Sequence, residues 1–194
     1  MLIHLPPESF IYNQELVHGF QRSRKKIFHD RLQWEVKIED DREIDEFDSA
    51  HSHFILSVHE NKVIGGVRLT PSEAPNLTYE IFSKYFGEIP VKREPFLLES
   101  SRFGLEVLPN MSSQFLRDQT IDLFIGVLKF GLTERFSRII TVVDVRMERT
   151  LRLAGWPVER ITDVVQIGET RTIIGILPIS EDILHSLEQK KGGN

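Results

Sequence analysis

Three groups of side chains in this chain are of types that do chemistry, and each sits among residues that would alter its behaviour. Residues 96–107 read FLLESSRFGLEV. As a strand, this stretch puts Glu99 and Ser101 on one face with Leu97, Phe103, Leu105 and Val107, and Arg102 on the other. Burial on an apolar face raises the pKa of a carboxylate, which suits a general base. The second group is Arg24 with Phe28 and Trp34. A guanidinium holds a carboxylate bidentately, and aromatic faces accept flat rings or cations. The third is Glu43, Asp45 and Asp48, in the acidic run EDDREIDEFD, a set of anions for a cationic ligand.

Each group also has a structural reading. Arg24 can be one charge on a solvated helix face, the acidic run a solvated loop, and Glu99 with Arg102 an ion pair at a sheet edge. Asp45, Asp48, His51 and His53 are metal-ligand types, but their spacing fits no standard site, and no metal is expected.

The elements that must hold these residues follow from hydrophobic spacing. Leu16, Phe20, Ile27 and Phe28 recur at helical intervals among five basic residues, so an amphipathic helix is expected over Gln14–Leu32. The stretch from Trp34 to Ala50 has many charges and no sustained period and reads as mostly loop. HFILSVHE and VIGGVRL, broken at Asn61-Lys62, predict a β-hairpin. A loop at Pro71, Pro75 and Asn76 leads to a short helix from Tyr79 to Phe86, and the strand carrying Glu99 follows. An amphipathic helix from Ser113 to Phe136, capped by Ser112 or Ser113, precedes the buried strand IITVVDV. MERTLRLAG reads as a helix ended by Gly155, and VVQIGETRTIIGILPI as a hairpin turning near Gly168-Glu169. Strands alternate with helices after an initial hairpin, which predicts a single-domain α/β/α sandwich with a mixed central sheet over residues 1–194. Residues 189–194 read as a frayed tail.

Composition narrows the setting. A chain of 194 residues, 40% of them hydrophobic, can bury the core of one domain. It has no cysteine, so disulfides, thiolate metal sites and a cysteine nucleophile are excluded, and a cytoplasmic location is expected. No segment has the basic start of a signal peptide or the length of a membrane span. Lys and Arg number 24 against 29 Asp and Glu, a net charge of −5 without a footprint for nucleic acid. The common phosphate-loop, dinucleotide, serine-hydrolase and zinc-protease signatures are absent.

The order of the charged motifs is more specific than any one of them. R-x-x-x-F at 24–28, Trp34, E-x-D-x-x-D at 43–48, GGVRL with Arg68, Phe82 and E-S-S-R-F at 99–103 together resemble the acyl-homoserine lactone synthase (autoinducer synthase) family. The segment ending LRLAGW resembles it too. The resemblance implies a fold similar to the N-acetyltransferase superfamily. It also implies a reaction in which the amine of S-adenosylmethionine is acylated from an acyl-thioester. The substrate's own carboxylate then closes a lactone and expels methylthioadenosine, giving a quorum-sensing signal; no cofactor is implied. Carried over residue by residue, it assigns Glu99, Arg102 and Ser101 to catalysis, and Arg24, Phe28, Trp34, Asp45, Asp48, Arg68 and Phe103 to S-adenosylmethionine. Loss of the ammonium proton requires a base, and Glu99 is the candidate. Backbone N–H groups at a bulge beside Glu99 would stabilise the thioester oxyanion, and such a bulge would break strict alternation along the strand.

Thr141, Asp144 and Met147 are expected at the acyl-chain pocket, where Asp144 stands in place of a small polar residue. Thr141 reads equally well as an ordinary β-branched strand residue. Arg146, Arg149 and Arg152 repeat every third residue, a positive stripe suited to docking an acidic acyl carrier protein or a coenzyme A thioester, or else a solvated face. An ordinary acyl-coenzyme A N-acyltransferase would carry a Gly-rich pyrophosphate loop, whereas the corresponding interval, LPNMSSQF, has no glycine. A catalytically silent relative is the remaining alternative.

Overall fold

A computed structural model describes residues 1–192. In chain order its elements are β1 (Leu2–Leu5), a 3-10 turn (Pro7–Tyr12), α1 (Gln14–Arg24) and a π-helical segment (Lys25–Arg31) that continues α1 without a break. Next come β2 (Ile38–Glu39), β3 (Arg42–Glu43), β4 (His53–His59), β5 (Lys62–Pro71), a π-helical turn (Thr78–Phe82) and α2 (Ser83–Phe86). The chain ends with β6 (Leu97–Leu105), α3 (Ser113–Thr133), β7 (Arg138–Asp144), α4 (Val145–Ala154), β8 (Glu159–Arg160), β9 (Val165–Ile167), β10 (Thr170–Pro178) and α5 (Glu181–Gly192). Its contacts fall into two units: Met1–Leu69 with Arg102–Leu123, and Thr70–Ser101 with the chain from Phe124 onward. The chain passes from the second to the first within β6.

In the first unit, β1 pairs antiparallel with β4 and β4 with β5. The turn between β4 and β5 is Glu60-Asn61, one residue before the break expected at Asn61-Lys62, with both residues at positive φ (48° and 61°). This mirror-image turn matches the right-handed twist of the strands it joins. Leu5, Phe20, Phe54 and Leu56 form the core between α1 and these strands. A Cβ on Gly65 would lie 2.1 Å from the Gly104 carbonyl oxygen, so the two backbones meet where no side chain fits. Ser112, one of the two expected caps, holds the start of α3: its Oγ accepts from Phe115 N at 3.0 Å.

In the second unit the sheet is mixed, as expected. The first residues of β6 run parallel to β7 (Glu99 opposite Ile140), and β7 runs antiparallel to β10, which carries β8 and β9. Leu97, Ile140, Ile174 and Ile176 make its core, packed by Tyr79, Phe86 and Val91. The hairpin turn at Gly168 is as expected, with φ 55°. Gly155 ends α4 as expected, in the left-handed conformation at φ 94° that glycine adopts without strain. The expected frayed tail is helical as far as Gly192, and Lys190 Nζ donates to the Ala154 carbonyl at 2.6 Å. The remainder of that tail, 193–194, lies outside the described residues. Among the described residues no helix is long and apolar enough to cross a membrane.

Candidate active site

Arg24 ends α1, one turn after Phe20, whose ring lies 5.4 Å from the guanidinium carbon. Helical spacing puts both on the inward face, so Arg24 is fully buried and the solvated reading of it is wrong. Its Nε donates to Glu43 Oε2, and Nη1 to both oxygens of Asp48 at 2.7 and 2.8 Å. Arg68, fully buried on β5, donates from Nη1 to Asp45 Oδ1 at 2.5 Å and to Asp48 Oδ1 at 2.9 Å. Arg102 donates to Glu43 Oε1 at 2.8 Å and Oε2 at 3.2 Å, and its Nη2 lies 3.0 Å from Asp45 Oδ2. Three guanidiniums and three carboxylates of the first unit thus alternate in one buried, neutral network. The acidic run is therefore not a solvated loop at these positions, and its β3 pairs with β2, Glu43 opposite Ile38, which places Glu43.

The network fixes its own ionisation. Burial would raise the Asp45 carboxyl, but Arg68, Arg102 and Arg24 outweigh it and bring its pKa down to about 2. Burial would lower Arg24, yet Asp48, Glu43 and Asp45 hold it above its ordinary value. Arg68 is held up against burial in the same way by Asp45 and Asp48. For Arg102 burial prevails, reinforced by repulsion from Arg24 and Arg68, and its pKa falls.

Arg102 adopts a left-handed backbone (φ 55°), an uncommon conformation for a residue with a Cβ. The sequence predicts a bulge beside Glu99; along β6 the departure from extended geometry falls three residues later, at Arg102. The guanidinium stacks on Phe28 at 5.4 Å from the ring centre, and Phe28 packs against Trp34 with ring centroids 5.3 Å apart. The π-helical segment supplies Phe28, and the Trp34 amide returns to the Phe28 carbonyl at 2.9 Å. Trp34 Nε1 is buried with no hydrogen-bond acceptor among the described residues, and Arg24 Nη2 lies 3.6 Å from Asp45, too far for a hydrogen bond. Phe103 is partly buried near the end of β6 within this unit. Gln21, unremarked in the sequence, reaches Asp48 Oδ2 at 3.3 Å.

In the second unit Glu99 is 1% exposed on β6. Its Oε2 accepts from Ser101 Oγ at 2.9 Å, and its Oε1 from Thr78 Oγ1 at 3.2 Å. Thr141 is buried and donates to the Ser100 carbonyl at 2.9 Å. Asp144, expected beside the acyl pocket, caps α4, accepting from Arg146 N at 3.0 Å and Met147 N at 2.7 Å. An acidic residue there follows from the helix that starts next to it. Arg146, Arg149 and Arg152 are exposed. The last two, with Val145, Glu148, Arg160 and Arg171, line a depression of about 250 Å³. Arg160 and Arg171 come from β8 and β10, so the helical stripe alone did not reveal them. Glu43 is one of the three anions marked by the E-x-D-x-x-D motif, though the resemblance gives it no role with the substrate; Thr78, two residues after Asn76, has no motif to mark it. Among the described residues no three His, Asp or Glu side chains are grouped to hold a metal ion.

The solved structure of a CoA-dependent acyl-homoserine lactone synthase, BjaI, with SAM and isopentyl-CoA superimposes with a TM-score of 0.87 and 20% identity, over 99% of this chain and 89% of that one. An acyl-CoA N-acyltransferase from Pseudomonas aeruginosa does so with a TM-score of 0.62 and 9% identity, over 91% of this chain and 97% of that one. The chain shares the α/β fold of these two structures. An acyl-homoserine-lactone synthase of Rhizobium radiobacter is 28% identical over 181 residues, 92% of this chain and 85% of the relative. Residues 8–187 match the autoinducer synthase family, and the chain belongs to it.

Proposed function

We infer that the chain is an acyl-homoserine lactone synthase that acylates S-adenosylmethionine. The observation that carries this reading is the burial of Arg24, Asp45, Asp48, Arg68 and Arg102 in one network with Glu43. Such a network costs desolvation and is weak evidence for stability alone. S-adenosylmethionine brings an ammonium, a sulfonium and a carboxylate, and both signs of charge are needed to address them. The carboxylates face the cationic parts, the guanidiniums the carboxylate, and Phe28 with Trp34 the adenine or sulfonium.

Glu99 takes the ammonium proton, and the freed amine attacks the thioester carbonyl. The carbon–nitrogen bond forms, the carbon–sulfur bond of the thioester breaks, and the thiol leaves with a proton. The substrate carboxylate then attacks the carbon bonded to the sulfonium, closing the lactone and expelling methylthioadenosine. Ser101 and Thr78 hold the Glu99 carboxylate, and no cofactor is required. The acyl chain is assigned to the side of Thr141 and Met147, with Asp144 supporting the helix that carries Met147.

The donor is assigned to the arginine-lined depression of the second unit, where Arg149 and Arg152 are joined by Arg160 and Arg171. Among the described residues that line it Glu148 alone is acidic, and it is already bonded to Arg160 at 2.6 and 2.7 Å. An acidic acyl carrier protein or the phosphates of coenzyme A would meet net positive charge. A cytoplasmic setting accords with a chain that has no cysteine.

Incubation with S-adenosylmethionine and a series of acyl-carrier-protein and acyl-coenzyme A donors, with mass spectrometry of the products, tests the reading. Acyl-homoserine lactone with stoichiometric methylthioadenosine is the expected result. An amide formed on some other amine, with no lactone, would reassign the chain to general N-acyl transfer.

A further inference from the structure

Thr78 opens the π-helical turn of the second unit and is fully buried, and its hydroxyl is 3.2 Å from Glu99 Oε1. A buried hydroxyl without a partner is costly, so this bond has a structural reason to be kept. The turn is itself braced. Buried Asn76 donates from Nδ2 to the Ala74 and Ser72 carbonyls at 2.9 and 3.2 Å, and its Oδ1 accepts from Tyr79 N at 3.3 Å. Ser72 ties the same loop to the start of β6, its N donating to the Leu97 carbonyl at 2.9 Å. A wide π turn is uncommon and is frequent at functional sites. Here it delivers one hydroxyl to one oxygen of Glu99, while Ser101 Oγ donates to the other at 2.9 Å. Two donors on opposite oxygens fix the plane of a carboxylate that would otherwise turn about its last bond.

We propose that Thr78 is a positioning residue for Glu99, fixing the carboxylate in the orientation from which it accepts the substrate's ammonium proton. The proposal rests on the reading of Glu99 as the base. Thr78 acts through Glu99 and needs no contact with substrate. It would therefore govern the rate of amide formation and leave S-adenosylmethionine affinity alone.

Thr78→Val keeps the shape and burial and removes the donor, whereas Thr78→Ser keeps the donor and removes a methyl. Single-turnover amide formation, calorimetric affinity for S-adenosylmethionine and thermal unfolding are measured for both and for wild type. Thr78→Val is expected to lose roughly ten-fold or more in rate, as for loss of one hydrogen bond to a charged group. Its affinity should stay within about two-fold, and Thr78→Ser should recover most of the rate, because the hydrogen bond is restored. A wild-type rate in Thr78→Val overturns the proposal and leaves the reading of Glu99 standing. So does a parallel loss of rate and affinity that serine does not restore. If wild type forms no amide from any donor, the reading of the reaction fails and the proposal with it.

Discussion

Arg24 shows what a residue type conceals. As one of five basic residues on a helix it reads as solvated, yet it is the pivot of a buried network because Phe20 one turn earlier fixes which face turns inward. Its type and spacing were legible in the sequence; the partners Glu43, Asp45 and Asp48 became so only through the order of motifs along the chain. Asp45 offers a titration test. Its ordinary pKa of 3.8 falls to about 2 in the folded protein, so its contribution to stability is complete above about pH 4 and is lost as pH drops towards 2. Asp45→Asn should therefore show a flatter acid limb in denaturant unfolding between those values. It should also weaken S-adenosylmethionine binding by roughly ten-fold, the scale of one charge-assisted hydrogen bond, with less effect on the acyl donor. Calorimetric titration with each ligand checks this, and unchanged affinity for S-adenosylmethionine would contradict the assignment. Glu99→Gln keeps the shape of a buried side chain bonded to Ser101 and Thr78 but removes the base. The variant should fold and lose at least roughly a hundred-fold in single-turnover amide formation; wild-type turnover would remove Glu99 from the mechanism.

At the scale of elements, hydrophobic period and caps were the legible part. The hairpin β4–β5, helix α3 after Ser112, and the stop at Gly155 all lie within a few residues of their expected places. What period cannot carry is irregularity. The helix of residues 14–32 keeps its apolar spacing while its second half widens to a π-helical segment, because hydrogen-bond register leaves no mark on side-chain pattern. Strands β2, β3 and β8 are two residues each and β1 is four, too short to show alternation. The turn of β6 at Arg102 was legible only as an oddity, a strand polar in its middle. Asp144 is an element residue in this sense: its carboxylate bonds two N–H groups at the start of α4. Asp144→Ala should cost about 1 kcal/mol in urea unfolding, the usual loss for an N-cap, and Asp144→Asn or Asp144→Ser much less. Equal losses for alanine and serine would show that the aspartate is there for something other than the cap.

For the whole molecule, the α/β class and mixed sheet follow from alternation of strands and helices, while the division into two units does not, because it depends on which distant segments touch. Charge distribution is a property of the same scale. The chain is acidic overall, at −5, yet Arg149, Arg152, Arg160 and Arg171 gather at one depression. Reversing Arg149 and Arg152 to Glu should raise the Michaelis constant for an acyl-carrier-protein donor by roughly ten-fold or more at low salt and flatten its salt dependence, since steering by exposed charge is screened. A short acyl-thioester should be little affected. Equal losses with both donors would place the damage elsewhere. The buried network has a bearing on synthesis of the chain as well. Arg24, Glu43, Asp45, Asp48 and Arg68 leave the ribosome before Arg102, and those five carry three negative charges against two positive. Until the partner that lies 59 residues beyond Glu43 arrives, the first unit cannot close its interior without burying an unbalanced carboxylate, so its final collapse waits for the later part of β6.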